Sequence, residues 1–111
     1  MTCDCVKEIT EARFAAEVIQ SALPVVLDFY SDGCPPCEMM APTLDQLCTE
    51  LQGSVKFVKL DIYANRKIAF QHKIQAAPTF FVYRNGQLLA ESRGAQNKRQ
   101  FNNWIQSALA G

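Results

Sequence analysis

The chain has 111 residues, 49% of them apolar, and its eleven basic and eleven acidic residues leave no net charge. That length predicts one domain spanning residues 1–111, and the apolar content is enough for a hydrophobic core. The balanced charge gives no reason to expect nucleic acid or an anionic membrane surface as a partner. No apolar run reaches the length of a membrane-spanning helix.

The first predicted elements are a short edge strand at residues 6–9 and a helix after it. Thr10 is suited to the N-cap of this helix, and Pro24 would end it. One helical face would be apolar, formed by Phe14, Ala15, Val18, Ile19 and Ala22.

The next stretch, residues 25–30, is apolar and β-branched at its start, which is typical of a strand buried on both faces. The chain breaks at residues 31–33 and continues as Cys34-Pro35-Pro36-Cys37. A helix follows, because apolar residues then recur at helical spacing. Its apolar stripe consists of Cys37, Met40, Ala41, Leu44, Leu47, Cys48 and Leu51. The CxxC pair therefore lies where a buried strand ends and a helix begins.

The pattern of the second half of the chain predicts three more strands and two more helices. Strands are predicted at residues 55–62, 79–84 and 87–92, with a short helix at 64–73. Asn85-Gly86 is a strong signal for a hairpin between the last two strands. A capping box formed by Asn97 and Gln100 starts the final helix. The order βαβαβαββα predicts an α/β fold in which a parallel half joins an antiparallel half.

A cysteine pair at a helix N-terminus indicates redox chemistry. The helix dipole and the unpaired backbone N–H groups favour thiolate over thiol, and the thiolate is the nucleophile of disulfide exchange. Two intervening residues bring the second sulfur within bonding reach of the first. The alternative is half of a zinc site, whose other ligands would be sought among Cys3, Cys5 and His72. Otherwise, we expect His72 to be a surface residue without a role.

The cysteine count bears on the cellular compartment. Five cysteines, an odd number, occur in a chain whose first residues lack the apolar stretch of a signal peptide. Both features favour a cytoplasmic location with free thiols over a framework of structural disulfides. We expect residues 1–5 to be a flexible, dispensable tail, with an auxiliary redox role for Cys3 and Cys5 as the alternative. Cys48, on the helical stripe, is predicted to be a buried, inert thiol.

The segment DFYSDGCPPCEMMAPTLDQL resembles the active-site segment of the thioredoxin family, whose usual form is DFWAxWCGPCKxxAPxL. The resemblance covers nearly the whole chain. Residues 58–61 resemble the third strand of the family, 77–79 its cis-proline turn, and 94–95 the glycine that lines the substrate groove. The resemblance implies the thioredoxin fold, a central mixed five-stranded sheet flanked by four helices.

The resemblance also implies a role for several residues. Cys34 would attack a substrate disulfide and Cys37 would resolve the mixed disulfide. Asp28 would be the buried aspartate that helps to deprotonate Cys37, and Lys59 would be its charge partner. A cis peptide bond before Pro78 would place the backbone beside the cysteine pair, where an extended substrate could add as a strand. The substrate groove would be formed by Ala76, Ala77, Gly94 and Ala95.

The activity implied is that of a protein-disulfide reductase. Its partners would be disulfide-containing proteins and an electron donor, either a reductase similar to thioredoxin reductase or a small thiol. No metal or organic cofactor is implied, and we expect a monomer. Two alternatives remain open from the sequence. One is a binding module that keeps the fold with little or no redox activity, and the other is an oxidase or isomerase.

Two features of the site depart from the family pattern. Gly33 stands where the family usually has tryptophan before the first cysteine, and Pro35-Pro36 replaces the usual Gly-Pro. Glu38 adds a negative charge where lysine is common. These changes predict a reductant rather than an oxidant, with weak coupling to a generic thioredoxin reductase. Gly33, Pro35 and Pro36 are therefore predicted to shape the site.

Overall fold

A five-stranded sheet in the order β1-β3-β2-β4-β5 forms the centre of this computed structural model, which describes residues 5–111. The strands are β1 (Lys7–Glu8), β2 (Val25–Tyr30), β3 (Lys56–Asp61), β4 (Thr79–Arg84) and β5 (Gln87–Arg93). β1 and β2 run parallel to β3, whereas β4 is antiparallel to both β2 and β5. The sheet is therefore mixed, as the sequence predicts.

Within residues 5–111, four helical segments accompany the sheet. They are a 3₁₀ turn (Glu11–Arg13) leading into a π-helical turn (Ala15–Ile19), then α1 (Pro35–Glu50), α2 (Arg66–Gln71) and α3 (Lys98–Ala110). The predicted architecture of five strands and four helical segments is confirmed. None of the helices within residues 5–111 combines the length and apolar character needed to cross a membrane.

Two local sequence signals are also confirmed. At the start of α3, Asn97 Oδ1 accepts a hydrogen bond from the backbone of Gln100 at 2.8 Å, and the Gln100 side chain accepts one from the Asn97 backbone. Between β4 and β5, Asn85 and Gly86 both have positive φ, +53° and +76°. A type I′ hairpin turn needs this conformation at both positions, which explains the residue types.

Apolar side chains fill both faces of the sheet. One cluster includes Phe29 and Leu60 and packs against the helical segment that precedes β2 and against α2. The other includes Phe57 and Phe80 and packs against α1 and α3. Asp28 and Lys59 are register partners on the two central parallel strands, β2 and β3. The two charged residues that the sequence assigns to the site, Asp28 and Lys59, thus lie at the centre of the sheet.

The helix predicted after Thr10 differs from the expectation. Its first turn is 3₁₀ and its second is π-helical, and Thr10 makes no side-chain cap. Ala15 and Ile19, assigned to the apolar face, are exposed, whereas Glu17 is buried. The reason is electrostatic, because the Glu17 carboxylate accepts hydrogen bonds from three cationic side chains. These are Lys56 at 2.7 Å, Arg13 at 3.0 Å and Lys7 at 3.3 Å.

A disulfide joins Cys5 to Cys48, with 6.0 Å between their Cα atoms. The expectation that Cys5 belongs to a loose tail is therefore wrong, and so is the expectation that Cys48 is a free thiol. Cys48 is buried as predicted, on the inward stripe of α1, and Cys5 and Val6 pack against the same apolar cluster. Cys3 lies outside the described residues.

Candidate active site

Cys34 occupies the N-cap of α1, immediately after the loop that leaves β2. Its Sγ accepts the backbone N–H of Cys37 at 3.3 Å, and the two cysteines form a disulfide. Pro35 and Pro36 begin the helix, where backbone N–H groups have no intrahelical acceptor, so proline is tolerated. The sequence-predicted cysteine pair therefore lies at the positive end of a 16-residue helix.

The loop before β4 lies against Cys34. Cys34 Sγ is 3.5 Å from the carbonyl oxygen of Ala77, and the Ala77–Pro78 peptide bond is cis. Thr79 Oγ1 donates to the carbonyl of Ala76 at 2.7 Å, and the Gly94 N–H donates to the carbonyl of Pro78 at 2.9 Å. The loop segments assigned to a substrate groove are thus brought together beside the first cysteine. Ala95, next to Gly94, is exposed.

Cys37 faces a different environment, a cavity of about 390 Å³ between β2, β3, α1 and the segment before β1. Asp28 and Lys59 line this cavity with Cys37, and Val6 contributes an apolar wall. Acidic side chains surround it, namely Asp32, Glu38 and Asp45. The two cysteines therefore face different surroundings. Cys34 lies next to the Ala77 loop, and Cys37 lines the cavity.

Asp28 is the buried carboxyl of the site, with 6% of its surface exposed. Its Oδ1 atom accepts no hydrogen bond from any of residues 5–111. Burial raises the pKa of Asp28 to about 7, and the positive charge of Lys59 opposes that rise. Asp28 is therefore able to exchange a proton near neutral pH. The burial expected from the sequence is confirmed.

Lys59 does not reach Asp28 as an ion-pair partner among the described residues. Its ammonium lies over the ring of Tyr30, 5.4 Å from the ring centroid. The Tyr30 hydroxyl donates a hydrogen bond to the Glu8 carboxylate, and burial followed by this bond raises the pKa of Tyr30. Neither the sequence motifs nor the resemblance predicts a function for Tyr30 or Glu8. The signal that could have found Tyr30 is its place two residues after Asp28 on one strand, which puts both side chains on one face.

The residues next to the cysteine pair are mostly exposed and leave the pair accessible to solvent. Gly33 has φ +68°, and an added Cβ atom would meet no described heavy atom within 4 Å. Pro35 and Glu38 are exposed, while Pro36 is half-buried. The site thus has no aromatic cover at position 33, as the sequence implies.

His72 is placed differently from the surface position expected. It is half-buried, with Nε2 2.7 Å from the Tyr83 hydroxyl and Nδ1 2.9 Å from the carbonyl of Ile68. Its ring also packs among the aromatic rings of Phe14, Phe29, Phe81 and Tyr83. Cys5 is held by Cys48, so the structure does not bring Cys5 and His72 to the Cys34–Cys37 pair as the zinc alternative requires.

The fold and its cysteine pair together define a thiol–disulfide oxidoreductase. The family model described as Thioredoxin matches residues 5–107, and the chain belongs to the thioredoxin family. The chain is 39% identical to thioredoxin of Haemophilus influenzae over 100 residues, which is 90% of this chain and 94% of the relative. It is 35% identical to thioredoxin of Rickettsia felis over 101 residues, covering 91% and 96%. Thioredoxin 1 of Synechococcus elongatus is 34% identical over 101 residues, covering 91% and 94%.

Proposed function

We propose that this oxidoreductase reduces protein disulfides with Cys34 as the attacking thiolate, Cys37 as the resolving thiol and Asp28 as the proton acceptor. The observation that carries the proposal is the division of the site. Cys34 Sγ lies beside the Ala77 carbonyl, whereas Cys37 and the buried Asp28 carboxyl share one cavity. The helix N-terminus and the Cys37 N–H favour the Cys34 thiolate.

The first step is attack of the Cys34 thiolate on one sulfur of the substrate disulfide. The substrate S–S bond breaks, a Cys34–substrate mixed disulfide forms, and the other substrate sulfur leaves as a thiolate that takes a proton from solvent. An extended substrate backbone would pair with the loop at Ala76 and Ala77, which are exposed and partly exposed respectively, with Gly94 and Ala95 on the other side. Cys34 is the cysteine next to this loop.

The second step is resolution by Cys37. Its thiol gives its proton to Asp28, and the resulting thiolate attacks Cys34 Sγ. The mixed disulfide breaks, and the second substrate sulfur leaves as a thiolate that is protonated in turn. The substrate gains two electrons and the Cys34–Cys37 disulfide forms, so an external donor must reduce it again. A thioredoxin-reductase-like protein or a small thiol fits this electron-transport role, and no metal or organic cofactor takes part.

We further propose that the protein works as a monomer in the cytoplasm, where thiol systems keep such dithiols reduced. Sedimentation velocity measures the oligomeric state, and fractionation of the source cells with an antibody measures the location. A stable dimer at micromolar concentration, or recovery with an exported fraction, would contradict these two proposals.

A dithiothreitol-driven insulin reduction assay tests the function. Wild type is expected to turn over, and Cys34→Ser is expected to lose activity by at least about 10³-fold because no nucleophile remains at the N-cap. Cys37→Ser retains the attacking thiolate and is expected to accumulate a mixed disulfide through Cys34. If Cys37→Ser is as unreactive toward a model disulfide as Cys34→Ser, the assignment of attacker and resolver is wrong. Absence of turnover in wild type would favour the binding-module alternative.

A further inference from the structure

The reduction cycle makes no use of the disulfide between Cys5 and Cys48. Cys5 immediately precedes the wall residue Val6, and Cys48 lies near the C-terminal end of α1, the helix that begins next to Cys34. Cys48 is 3% exposed within an apolar cluster, whereas Cys5 is only partly buried. This disulfide therefore fastens the segment before β1 to the same helix that carries the cysteine pair.

We propose that Cys5–Cys48 is a second thiol–disulfide exchange site, opened by a dithiol reductant, and that its opening frees the wall of the cavity shared by Asp28 and Cys37. The reductant class is a protein or small-molecule dithiol, which includes the Cys34–Cys37 dithiol of another copy. The chain's own dithiol is excluded by distance. Cys37 and Cys48 are eleven residues apart on one helix, which corresponds to about 16 Å.

Burial determines which of the two sulfurs is attacked and which one leaves. The attacking thiolate reaches the Cys5 sulfur, since Cys48 is enclosed, and forms a mixed disulfide with Cys5. The Cys5–Cys48 bond breaks, and Cys48 leaves as a thiolate that takes a proton. The second thiol of the reductant then attacks the mixed disulfide and releases Cys5. Two electrons pass to the chain, and the reductant ends as a disulfide.

The Cys5–Cys48 and Cys34–Cys37 disulfides are expected to open at different rates. A leaving thiolate in apolar surroundings is poorly stabilised, because burial raises the pKa of a thiol, and a poor leaving group slows exchange. Cys48 leaves into the cluster formed by α1, α3 and the sheet. The Cys34–Cys37 disulfide, in contrast, lies at a helix N-terminus with Cys34 only partly buried. Individual turnovers at Cys34–Cys37 therefore leave Cys5–Cys48 closed.

The closed disulfide is the covalent anchor of the cavity wall, in addition to the noncovalent contacts of the segment before β1. Val6 lies between Cys5 and β1, and β1 is only two residues long at the edge of the sheet. Both residues of β1, Lys7 and Glu8, are exposed. With Cys5 bound to Cys48, Val6 is fixed on both sides. With the disulfide open, Val6 keeps only noncovalent contacts, those of the short strand and those with the apolar cluster against which it packs.

Loosening of this wall admits water to Asp28 and so lowers the free energy cost of ionising its carboxyl. The titratable groups that face the cavity come from the other elements around it. They are Lys59 on β3, Tyr30 on β2, Asp32 in the loop after β2, and Cys37, Glu38 and Asp45 on α1. Neither Cys5 nor Cys48 lines the cavity. Opening their disulfide therefore affects Asp28 through the access of solvent and not through a new charge in the cavity. The pKa of Asp28, raised by burial, is then expected to fall toward its ordinary value.

A first experiment follows the exchange itself in the full chain. Air-oxidised protein is treated with graded dithiothreitol, alkylated, and mapped by peptide mass spectrometry. We expect Cys34 and Cys37 to become alkylated at lower reductant or shorter time than Cys5 and Cys48, by at least about tenfold. Glutathione used as a single-thiol probe is expected to be trapped on Cys5. Alkylation of Cys5 and Cys48 before any reductant is added, or glutathione trapped on Cys48 instead, overturns the proposal.

A second experiment follows the cavity by carbon-13 NMR titration of the Asp28 carboxyl. In the full chain carrying Cys34→Ser and Cys37→Ser, dithiothreitol acts on Cys5–Cys48 without changing the first pair. We expect the Asp28 pKa of the same sample to fall by about one unit on reduction. Adding Cys5→Ser should give the lower value in both conditions, whereas adding Cys3→Ser, which keeps the disulfide, should not. An unchanged pKa overturns the link to the cavity.

This titration requires no turnover. Its outcome is therefore independent of the insulin assay that tests the proposed reductase cycle. A protein that fails in the insulin assay and still shows the Asp28 shift keeps the second exchange site and loses the proposed function. The opposite pair of results keeps the function and discards the link between the second disulfide and the cavity.

Discussion

Asp28 and Lys59 are register partners on adjacent parallel strands, yet the Lys59 ammonium lies over the Tyr30 ring, 5.4 Å from its centroid. The structure describes no ion pair between Lys59 and Asp28 within residues 5–111, and Oδ1 of Asp28 accepts no hydrogen bond there. The attraction of Lys59 is therefore too weak to offset the burial of the carboxyl. The pKa of Asp28 stays at about 7, so that this carboxyl, which lines one cavity with Cys37, can exchange a proton near neutral pH.

Asp28→Asn is expected to stabilise the fold, and more strongly as the pH rises from about 4 to about 7. The folded-state pKa of about 7 exceeds the ordinary value of 3.8, so the native state holds an extra proton between these values. Wild type therefore loses stability as the pH rises, and the variant does not. The rise in pKa corresponds to on the order of 4 kcal/mol at most.

Urea unfolding of wild type and Asp28→Asn near pH 4 and near pH 8 measures this effect. Asp32→Asn, which removes an exposed carboxylate lining the same cavity, is the matched control and should show no growing difference. A gain for Asp28→Asn that is the same at both pH values would mean that Asp28 ionises at little cost. Near neutral pH, the variant should also resolve the Cys34–substrate mixed disulfide more slowly, by about 10²-fold, because Cys37 then lacks its proton acceptor.

Glu17→Gln is expected to destabilise the protein at neutral pH, by about 1 kcal/mol or about 5 °C in Tm. Hydrogen bonds from Lys56, Arg13 and Lys7 lower the pKa of Glu17 to about 2 from its ordinary 4.5. A carboxyl with a depressed pKa stabilises the fold above its unfolded pKa, and this stabilisation is lost as the pH falls through about 4.5 toward 2.

The difference in stability between wild type and Glu17→Gln should therefore shrink in acid. Thermal unfolding at about pH 7 and about pH 3 measures it. Glu50→Gln is the control, because Glu50 pairs with Lys98 on the surface, where both side chains are well exposed. A Glu17→Gln effect no larger than that of Glu50→Gln would show that the cluster around Glu17 contributes little.

The parts of the structure predicted from sequence are those that local signals specify. The apolar run of residues 25–30 and the helical stripe that follows Cys37 determine β2 and α1, and the position of the cysteine pair results from where they meet. The hairpin and the capping box were predicted for the same reason, since a few adjacent residues suffice for each. The resemblance to thioredoxins supplied what local signals do not, including the cis bond before Pro78.

The parts that were missed rest on contacts between distant residues. Cys5 and Cys48 are 43 positions apart, and spacing along the chain gives no indication that they pair. Glu17 is buried because Lys56, 39 positions away on β3, reaches its carboxylate, and this contact overrides the apolar periodicity of the segment. His72 lies among aromatic rings from three different elements. In each case tertiary packing, not propensity, decides the environment.

Gly33→Ala is expected to destabilise the protein by about 1–2 kcal/mol although the added methyl group meets open space. The cause is the backbone, because φ is +68°, a region that side chains with a Cβ atom rarely adopt. Gly33→Asn should lose less, since asparagine tolerates this conformation best after glycine. Urea unfolding of the three proteins measures the order, and equal stability of the Ala and Asn variants would contradict it.

The same strain bears on restoring the tryptophan of the family at position 33. Gly33→Trp is expected to lose stability for the reason given for alanine, while its ring adds apolar surface beside Cys34. We expect this surface to raise the rate of reduction by a generic thioredoxin reductase. The assay compares the two variants, because Gly33→Ala carries the strain without the ring. A Gly33→Trp rate no higher than that of Gly33→Ala would show that the ring does not serve the reductase.

Pro35→Gly is expected to make Cys34 ionise at lower pH. Cys34 Sγ accepts the Cys37 N–H, and the prolines at the two intervening positions have no N–H to donate. Glycine at position 35 supplies a further donor at the positive end of α1, which stabilises the thiolate. We therefore expect the wild-type site to be a weaker oxidant than the glycine variant, because a less stabilised thiolate favours the disulfide form.

The pH dependence of Cys34 alkylation by iodoacetamide, followed by mass spectrometry on the reduced protein, measures this change. We expect the midpoint for Pro35→Gly to lie lower than that of wild type by about half a pH unit. Pro35→Ala separates the two effects of the change, since alanine also restores the N–H but gives the backbone less freedom than glycine. If the donor is the cause, both variants shift together. A shift in the glycine variant alone would assign the effect to backbone flexibility, and no shift in either would show that the Cys37 N–H and the helix dipole already determine the ionisation of Cys34.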